Sequence, residues 1–583
     1  MRRTLALILA LVMTMALVAC GGDKPATSTP GTTPSEPSKP ASSGGVSLEQ
    51  IETPKEAESD AEEKARYGGD LIVGSSNPTN TMDVHYTNGS LGNTRYLMHI
   101  YETTCVRDTN GKVYGQVCDY EESADGCTVK LTLRDREFSN GKKITIEDVE
   151  ASLRRAIGTR TEAGYDKSWK DVTMKVEGNT ITFTTPSLNL NFLNNLSSAS
   201  GDYKVMPKEI CDKYPVTGGE VQSNGLIRGG SAEQINIEAD VIGSGPYTLT
   251  KYSTEEIVLT RNENYVPITK GNEDALGTAA PVKAYLDTIT LAYNPDASSR
   301  TAAMMASEYH VGDIQAAMWE SALAQGIQLS DAGTAWTHGI FFNLDESNSD
   351  SPVYDVNVRK AIRAAIDCKA VITAVIQGRH ERTIYLEPSA IVKSSAYYND
   401  IIESTEWNLG DVELAKEYLK KANYDGTPIV YLTNATGNFY NASMAVIPML
   451  EAAGLKVELM AVDGGSHGAL RKDPKTGHDI GCWEAQKTEI NPVLQQTFVT
   501  GTQGWWKSDA KDKAIATMST TATGSPESIA AYKDWCQAVA DEVPFVLFGH
   551  PMGTIWAQPG VHVNHVGQTT YYWNYYMDAE ARK

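Results

Sequence analysis

The chain has 583 residues, 41% of them hydrophobic and 21% charged, and carries a formal net charge of −22. That length holds several domains, or one large protein with two lobes. The acidity, with no run of basic residues, weighs against nucleic acid and anionic membrane as partners, because phosphate binding needs clustered Lys and Arg.

The first segment, MRRTLALILALVMTMALVAC, sets Arg2 and Arg3 before an apolar run from Leu5 to Ala19. This is the layout of a secretory signal peptide, marginal in length for a spanning helix. Its last four residues, Leu17-Val18-Ala19-Cys20, resemble a bacterial lipobox. The resemblance implies that residues 1–19 are cleaved and that the Cys20 thiol is lipidated. Several acyl chains on one cysteine anchor stably, so the folded part is expected outside the cell, held to the outer face of the membrane by lipid alone. An ordinary secretory signal or an uncleaved anchor is the alternative. Residues 20–67 read as a tether. Gly21–Gly45 is rich in Ser, Thr, Pro and Gly and has too little apolar surface for a core. An acidic, helix-permissive stretch then runs to Arg66. As a flexible coil the tether spans roughly 35–40 Å.

The body starts near Gly68. GGDLIVGSS reads as a strand after a glycine pair. TCVRDTNGKVYGQVC reads as two strands around an Asn110-Gly111 turn, and CTVKLTLR alternates as a further strand. Thr145 opens a helix: Thr145 and Asp148 have capping-box spacing, and Ile146, Val149, Leu153 and Ile157 share one apolar face. NTITFTT and GPYTLTKYSTEEIVLTRN return to strands. From about Asp355 helices alternate with strands. VRKAIRAAIDCKAVITAVIQG is helical, its pattern continuing after Asp367 and ending at Gly378. Asp411 caps the next helix. TPIVYLTNA is a strand, SMAVIPMLEAAG a helix interrupted by Pro448, and LKVELMAV a strand. This order indicates an α/β lobe. VPFVLFGHPMGTIWAQPGVHV is again strand-like, and no internal repeat or further spanning segment occurs.

Seven cysteines follow Cys20: Cys105, Cys118, Cys127, Cys211, Cys368, Cys482 and Cys536. No CxxC is present, so neither a zinc ribbon nor a redox motif is indicated. A bridge within the first three and a set of buried free thiols both fit.

Four stretches, taken in order, carry a resemblance. They are the long segment from IYETTC through KKITIEDVEASLRRAI, IGSGPYTL with LTRNENY, YDVNVRKAIRAAIDCKAVI, and DVELAKEYLKKANYDG. Together they resemble the family 5 extracellular solute-binding proteins, the peptide- and nickel-binding class that feeds ABC importers, over nearly all of Gly68 to Asp578. The resemblance implies a non-catalytic α/β clamshell with an enlarged first lobe and mixed sheets flanked by helices. Residues 68–294 and 544–583 would form lobe I and residues 295–543 lobe II, with crossings near Asn294 and Val543. A small ligand would sit between the lobes, closure would be hinge motion, and a monomer would meet the subunits of an ABC permease. No cofactor or metal is implied.

Other motifs give less. Gly464–Gly468, GGSHG, matches the G-x-S-x-G of an extracytoplasmic serine hydrolase with Ser466 as nucleophile, and Asp473 or Asp479 and His550 lie downstream. Pro474 interrupts any long helix after it, and a polar loop is the expectation. His562-x-x-His565 sits in a strand-like stretch, where three-residue spacing points the rings to opposite faces. Of Trp505 and Trp506, one is expected in the core, and Trp505 is the candidate to face a ligand.

The densest polar cluster is GCWEAQKTEINP, Gly481–Pro492. Peptide-binding family members carry a W..D...P stretch whose aspartate pairs the ligand's ammonium. Trp483 matches the tryptophan. Counting forward gives Gln486 at the acid's place; counting back from Pro492 gives Thr488. Under either register the carboxylate is missing, and Glu484 or Glu489 would have to replace it. Trp483, Glu484, Gln486, Thr488 and Glu489 are therefore candidate ligand-binding residues, with Tyr86, Asn88 and Trp505. A short peptide is the first reading by family. An oligosaccharide, a blocked peptide or a nickel chelate, none carrying a free ammonium, is the alternative.

Overall fold

Pairing between distant strands, more than local pattern, decides which lobe each segment joins. The computed structural model describes residues 57–86, 91–107, 113–197, 202–267, 282–331, 336–376, 384–389, 391, 393, 395–486, 492–494, 504–551, 554–563, 565–566, 569–570 and 572–582. In chain order, β1 (Asp70–Ser75) and α1 (Leu91–Ile100) come first. Strands β2 (Cys118–Glu122) and β3 (Thr128–Leu133), helix α2 (Ile146–Gly158), and β4 (Thr173–Glu177) and β5 (Thr180–Thr184) follow. These four strands make an antiparallel sheet in the order β2-β3-β5-β4. Val149, Leu153 and Ile157 of α2 pack on its Val129, Leu131, Ile181 and Phe183, each buried side chain contributing about 1.5–3 kcal/mol. The capping box of α2 is present: Thr145 Oγ1 accepts from Asp148 N, and Thr145 N donates to Asp148 Oδ2 at 2.8 Å.

Strands β6 (Tyr247–Tyr252), β7 (Glu256–Arg261), β8 (Thr288–Tyr293), β9 (Val311–Gly312) and β10 (Gln328–Asp331) extend β1 into a second sheet. The second lobe begins with β11 (Trp336–Phe342), α3 (Val356–Ala365), α4 (Cys368–Val375) and β12 (Ile384–Tyr385). It continues through α5 (Val412–Lys421), β13 (Ile429–Asn434), α6 (Gly437–Ala452), β14 (Val457–Val462), α7 (Gly464–Leu470) and β15 (Ile480–Gln486). Helices α8 (Asp509–Thr520) and α9 (Pro526–Glu542) and strand β16 (Phe545–Pro551) complete it, and β17 (Thr554–Ala557) returns to lobe I. The lobe I sheet has the order β6-β7-β8-β1-β9-β17-β10, and the lobe II sheet β12-β16-β11-β15-β13-β14. Each has its own apolar core.

The crossings lie later than Asn294 and Val543. Strands β9 and β10 still belong to lobe I, because both pair with β17. Strand β16 belongs to lobe II, because it pairs with β11. The chain thus leaves lobe I after Asp331, enters lobe II at Trp336, and passes back between Pro551 and Thr554.

Strand directions fix what these crossings join. β8, β1 and β9 are parallel, β17 opposes β9, and β10 opposes β17. The carboxyl ends of β8, β1, β9 and β10 therefore share one edge. In lobe II, β15 and β16 oppose β11, while β13 and β14 run parallel with β15. Their carboxyl ends share the edge where β11 begins. Three Cα steps separate Pro551 from Thr554, which is at most about 11 Å. The two carboxyl edges consequently face each other across a two-lobed α/β clamshell.

Local expectations differ in three places. The helix predicted through Asp367 is two helices: Ile366 is extended, and Asp367 Oδ1 accepts from Ala370 N at 2.9 Å to start α4. Gly464–Leu470 is a helical turn capped by Asp463, where a loop was expected. The tether ends before residue 67, since Ser59 caps a helix at Asp60–Arg66. Arg66 is buried there, 4.7 Å from the Tyr576 ring centroid, and Glu63 pairs with Lys283. Cys105, Cys118, Cys127, Cys211, Cys368, Cys482 and Cys536 are all free thiols. Among the described residues no helix is long and apolar enough to cross a membrane.

Candidate functional site

Strand β15 runs toward the cleft, and alternation sorts its side chains between two faces. Trp483 lies opposite Gly339, is 3% exposed and packs on Phe545 with centroids 5.9 Å apart. It belongs to the lobe II core and offers no surface to the cleft. Glu484 takes the other face, opposite His338. It is half-buried, and no hydrogen bond or ion pair reaches its carboxylate among the described residues. Burial raises its pKa above the usual glutamate value, against the pull of Arg471.

The surroundings of Glu484 are polar and underused. Arg471 follows α7; burial lowers its pKa, and its Nε has no hydrogen-bond partner among the described residues. His467, one turn earlier and so on the same face, is buried beside Phe439 and near the Cys482 backbone, its Nε2 without a hydrogen bond among the described residues. Burial, and after it the Arg471 charge, pushes His467 down to about 4. His338 is buried with an unpaired Nδ1, and burial together with nearby His550 pushes it down to about 4. With both imidazoles pushed down to about 4, Glu484 is the acidic group and Arg471 the basic group of this patch. Unpaired buried polar atoms are uncommon in folded proteins and mark a place where a partner is missing. His338 and Arg471 escaped the sequence reading. The i, i+4 spacing of His467 and Arg471 was the available signal; for His338 there was none short of the strand register.

The other sequence candidates divide. Gln486 is the last residue of β15, opposite Trp336 at the cleft edge. Thr488, Glu489, Asn88 and Cys20 lie outside the described residues. Tyr86 accepts a hydrogen bond from Ala232 N at 2.6 Å, so its hydroxyl holds a neighbouring ribbon. The segment before it is fixed by a buried cluster in which Arg155 Nη1 donates to Asp83 Oδ1 at 2.9 Å and lies 3.0 Å from His85 Nδ1. Trp505 is not brought to the cleft. It packs against Phe341 and His478, near the start of β15, because Leu344 N donates to Gly504 O at 2.8 Å and pins the loop there. Trp506 is the core member of the pair, its Nε1 donating to Glu542 at 2.7 Å. The Ser466 hydroxyl donates to Asp463 on an exposed turn, with no imidazole hydrogen-bonded to it among the described residues. The His562 ring stacks on Tyr576 at 4.1 Å and meets Asp578. Among the described residues no group of three His, Cys, Asp or Glu is arranged to hold a metal ion.

On the facing edge, Ser75, Asn77, Thr79, Arg95, Glu256 and Tyr293 surround a small recess at the carboxyl ends of β1 and β8. Parallel strands open a ligand crevice at such ends.

Comparison with known proteins agrees with this architecture. Residues 112–526 match the model of the bacterial extracellular solute-binding proteins, family 5. Heme-binding protein A of Haemophilus influenzae is 22% identical over 476 residues, covering 74% of this chain and 78% of that protein. Oligopeptide-binding protein AppA of Bacillus subtilis is 23% identical over 380 residues, covering 62% and 61%. The crystal structure of the ABC transporter substrate-binding protein CtaP from Listeria monocytogenes superposes with a TM-score of 0.69 at 17% identity, over 88% of this chain and 100% of that one. It shares the two-lobed fold.

Proposed function

The chain belongs to the bacterial extracellular solute-binding proteins of family 5, and from that membership we propose that it captures a short peptide between its lobes and delivers it to an ABC permease. The observation that carries the ligand class is Glu484: a half-buried acidic side chain at the cleft end of β15, with no bonded partner among the described residues. A desolvated ammonium needs such a group, since an unpaired buried charge is expensive. Glu484 then does the work of the aspartate missing from the Gln486 or Thr488 position. The name of the AppA relative supports the same class. Lobe I is taken as residues 57–331 with 554–582, and lobe II as residues 336–551. Lipidation at Cys20 would hold the protein at the outer face of the membrane, its tether running to about residue 57.

The test is native mass spectrometry of residues 57–583 to identify what co-purifies, followed by calorimetry with free and N-acetylated tetrapeptide pools. Free peptides are expected to bind about 10- to 150-fold tighter than acetylated ones, the range for a charged hydrogen bond. Glu484→Gln removes that preference. Co-purification of a ligand without an amine, or equal affinity for free and acetylated pools, would overturn the reading.

A further inference from the structure

We propose that Arg95 holds the carboxylate end of the ligand in the lobe I recess, so that the cleft is built for a zwitterion bridging both lobes. The inference rests on the peptide reading and adds the opposite pole to it. Arg95 projects from α1 into the recess beside Ser75, Asn77 and Thr79. It has no ion pair or side-chain hydrogen bond among the described residues. Its neighbours in lobe I are different: Arg134 pairs with Asp119, Arg136 with Glu102, Arg155 with Asp83, Arg261 with Asp287 and Arg300 with Asp313.

Among the described residues lining the recess the one carboxylate, Glu256, is already engaged by Lys251. Arg95 is thus left as the uncompensated charge there, in a protein whose overall charge is −22. A guanidinium presents a planar fork of N–H donors that matches a carboxylate in two parallel hydrogen bonds. The Tyr293 ring, in register with Ser75 across β1 and β8, forms the wall beside it. The recess lies on the edge from which the chain crosses into lobe II, and Glu484 lies on the edge that faces it. An ammonium on one lobe and a carboxylate on the other bind the closed state better than the open one, which is what closure around a ligand requires. A neutral oligosaccharide would leave both charges unpaired.

The test uses the full chain with a randomised tetrapeptide pool carrying free carboxylates and the same pool as C-terminal amides, scored by native mass spectrometry. Wild type is expected to retain the free-acid pool about tenfold more than the amide pool. Arg95→Gln should erase that preference, and Arg95→Lys should keep part of it, since a point charge replaces the fork. Equal retention of acids and amides by wild type overturns the inference and leaves the peptide reading standing. Retention of neither pool overturns both. If Arg95→Gln fails to fold, the acid-against-amide ratio of wild type and of Arg95→Lys still decides.

Discussion

Replacing Trp483 with alanine separates a core role from a ligand-binding one. The indole is 3% exposed, belongs to the strand position opposite Gly339 and packs on Phe545 in the lobe II core. A tryptophan buries about 150–250 Å². At about 25 cal/mol per Å², removing all but the methyl costs about 3–5 kcal/mol, the range found for large-to-alanine core changes. For a lobe of roughly 200 residues that lowers its melting temperature by about 6–20 °C, at about 2–4 °C per kcal/mol. Differential scanning calorimetry reads this loss, and titration calorimetry at 10 °C reads ligand affinity on the still-folded variant. The expected result is a large fall in the lobe II transition with affinity within about threefold of wild type. A melting temperature within 2 °C of wild type, with affinity reduced tenfold or more, would refute the placement of Trp483 in the core.

Three further outcomes follow from the same contacts. Arg155→Met strands the buried Asp83 carboxylate and should cost about 3–5 kcal/mol; adding Asp83→Asn should recover part of it, and strict additivity in urea melts would count against the pair. His85, His338 and His467 are pushed down to about 4 and His99 to about 3, mainly by burial. The unfolded chain takes up those protons near 6.5, so stability present above that pH is lost as pH falls toward 4; a urea midpoint that stays flat between pH 7 and 4.5 would contradict it. Native thiol labelling should reach Cys127 and spare the six buried cysteines, whereas denatured residues 57–583 should take seven labels; intact-mass analysis counts them.

What the sequence revealed follows the range of the interaction. Thr145 with Asp148 and Asp411 with Leu414 are caps closed within three residues, so spacing alone found them. The crossing points depend on β9 and β10 pairing with β17, more than 200 residues later, and no local pattern carries that. Arg155 and Asp83 are 72 residues apart, and their ion pair was equally out of reach. For Trp483 and Glu484, alternation says that one faces the core and one the opposite side, but not which. The strand register and the packing of the indole on Phe545 decide it, by setting Trp483 in the lobe II core.

The same alternation gives the absent aspartate a physical meaning. Residues two apart in a strand share a face and lie about 6.6–6.8 Å apart. Glu484 therefore lies on the same face of β15 as the Gln486 position, one repeat deeper into lobe II. A charge moved from 486 to 484 keeps its direction and changes its depth. On the proposed reading the ligand's ammonium is drawn inward by that repeat, which is the length of two extended residues. A peptide that still reaches Arg95 on the facing edge must then be about two residues longer than one anchored at 486. On the proposed reading, with Gln486 and not Thr488 at the acid's place, the substitution sets the length of the peptide.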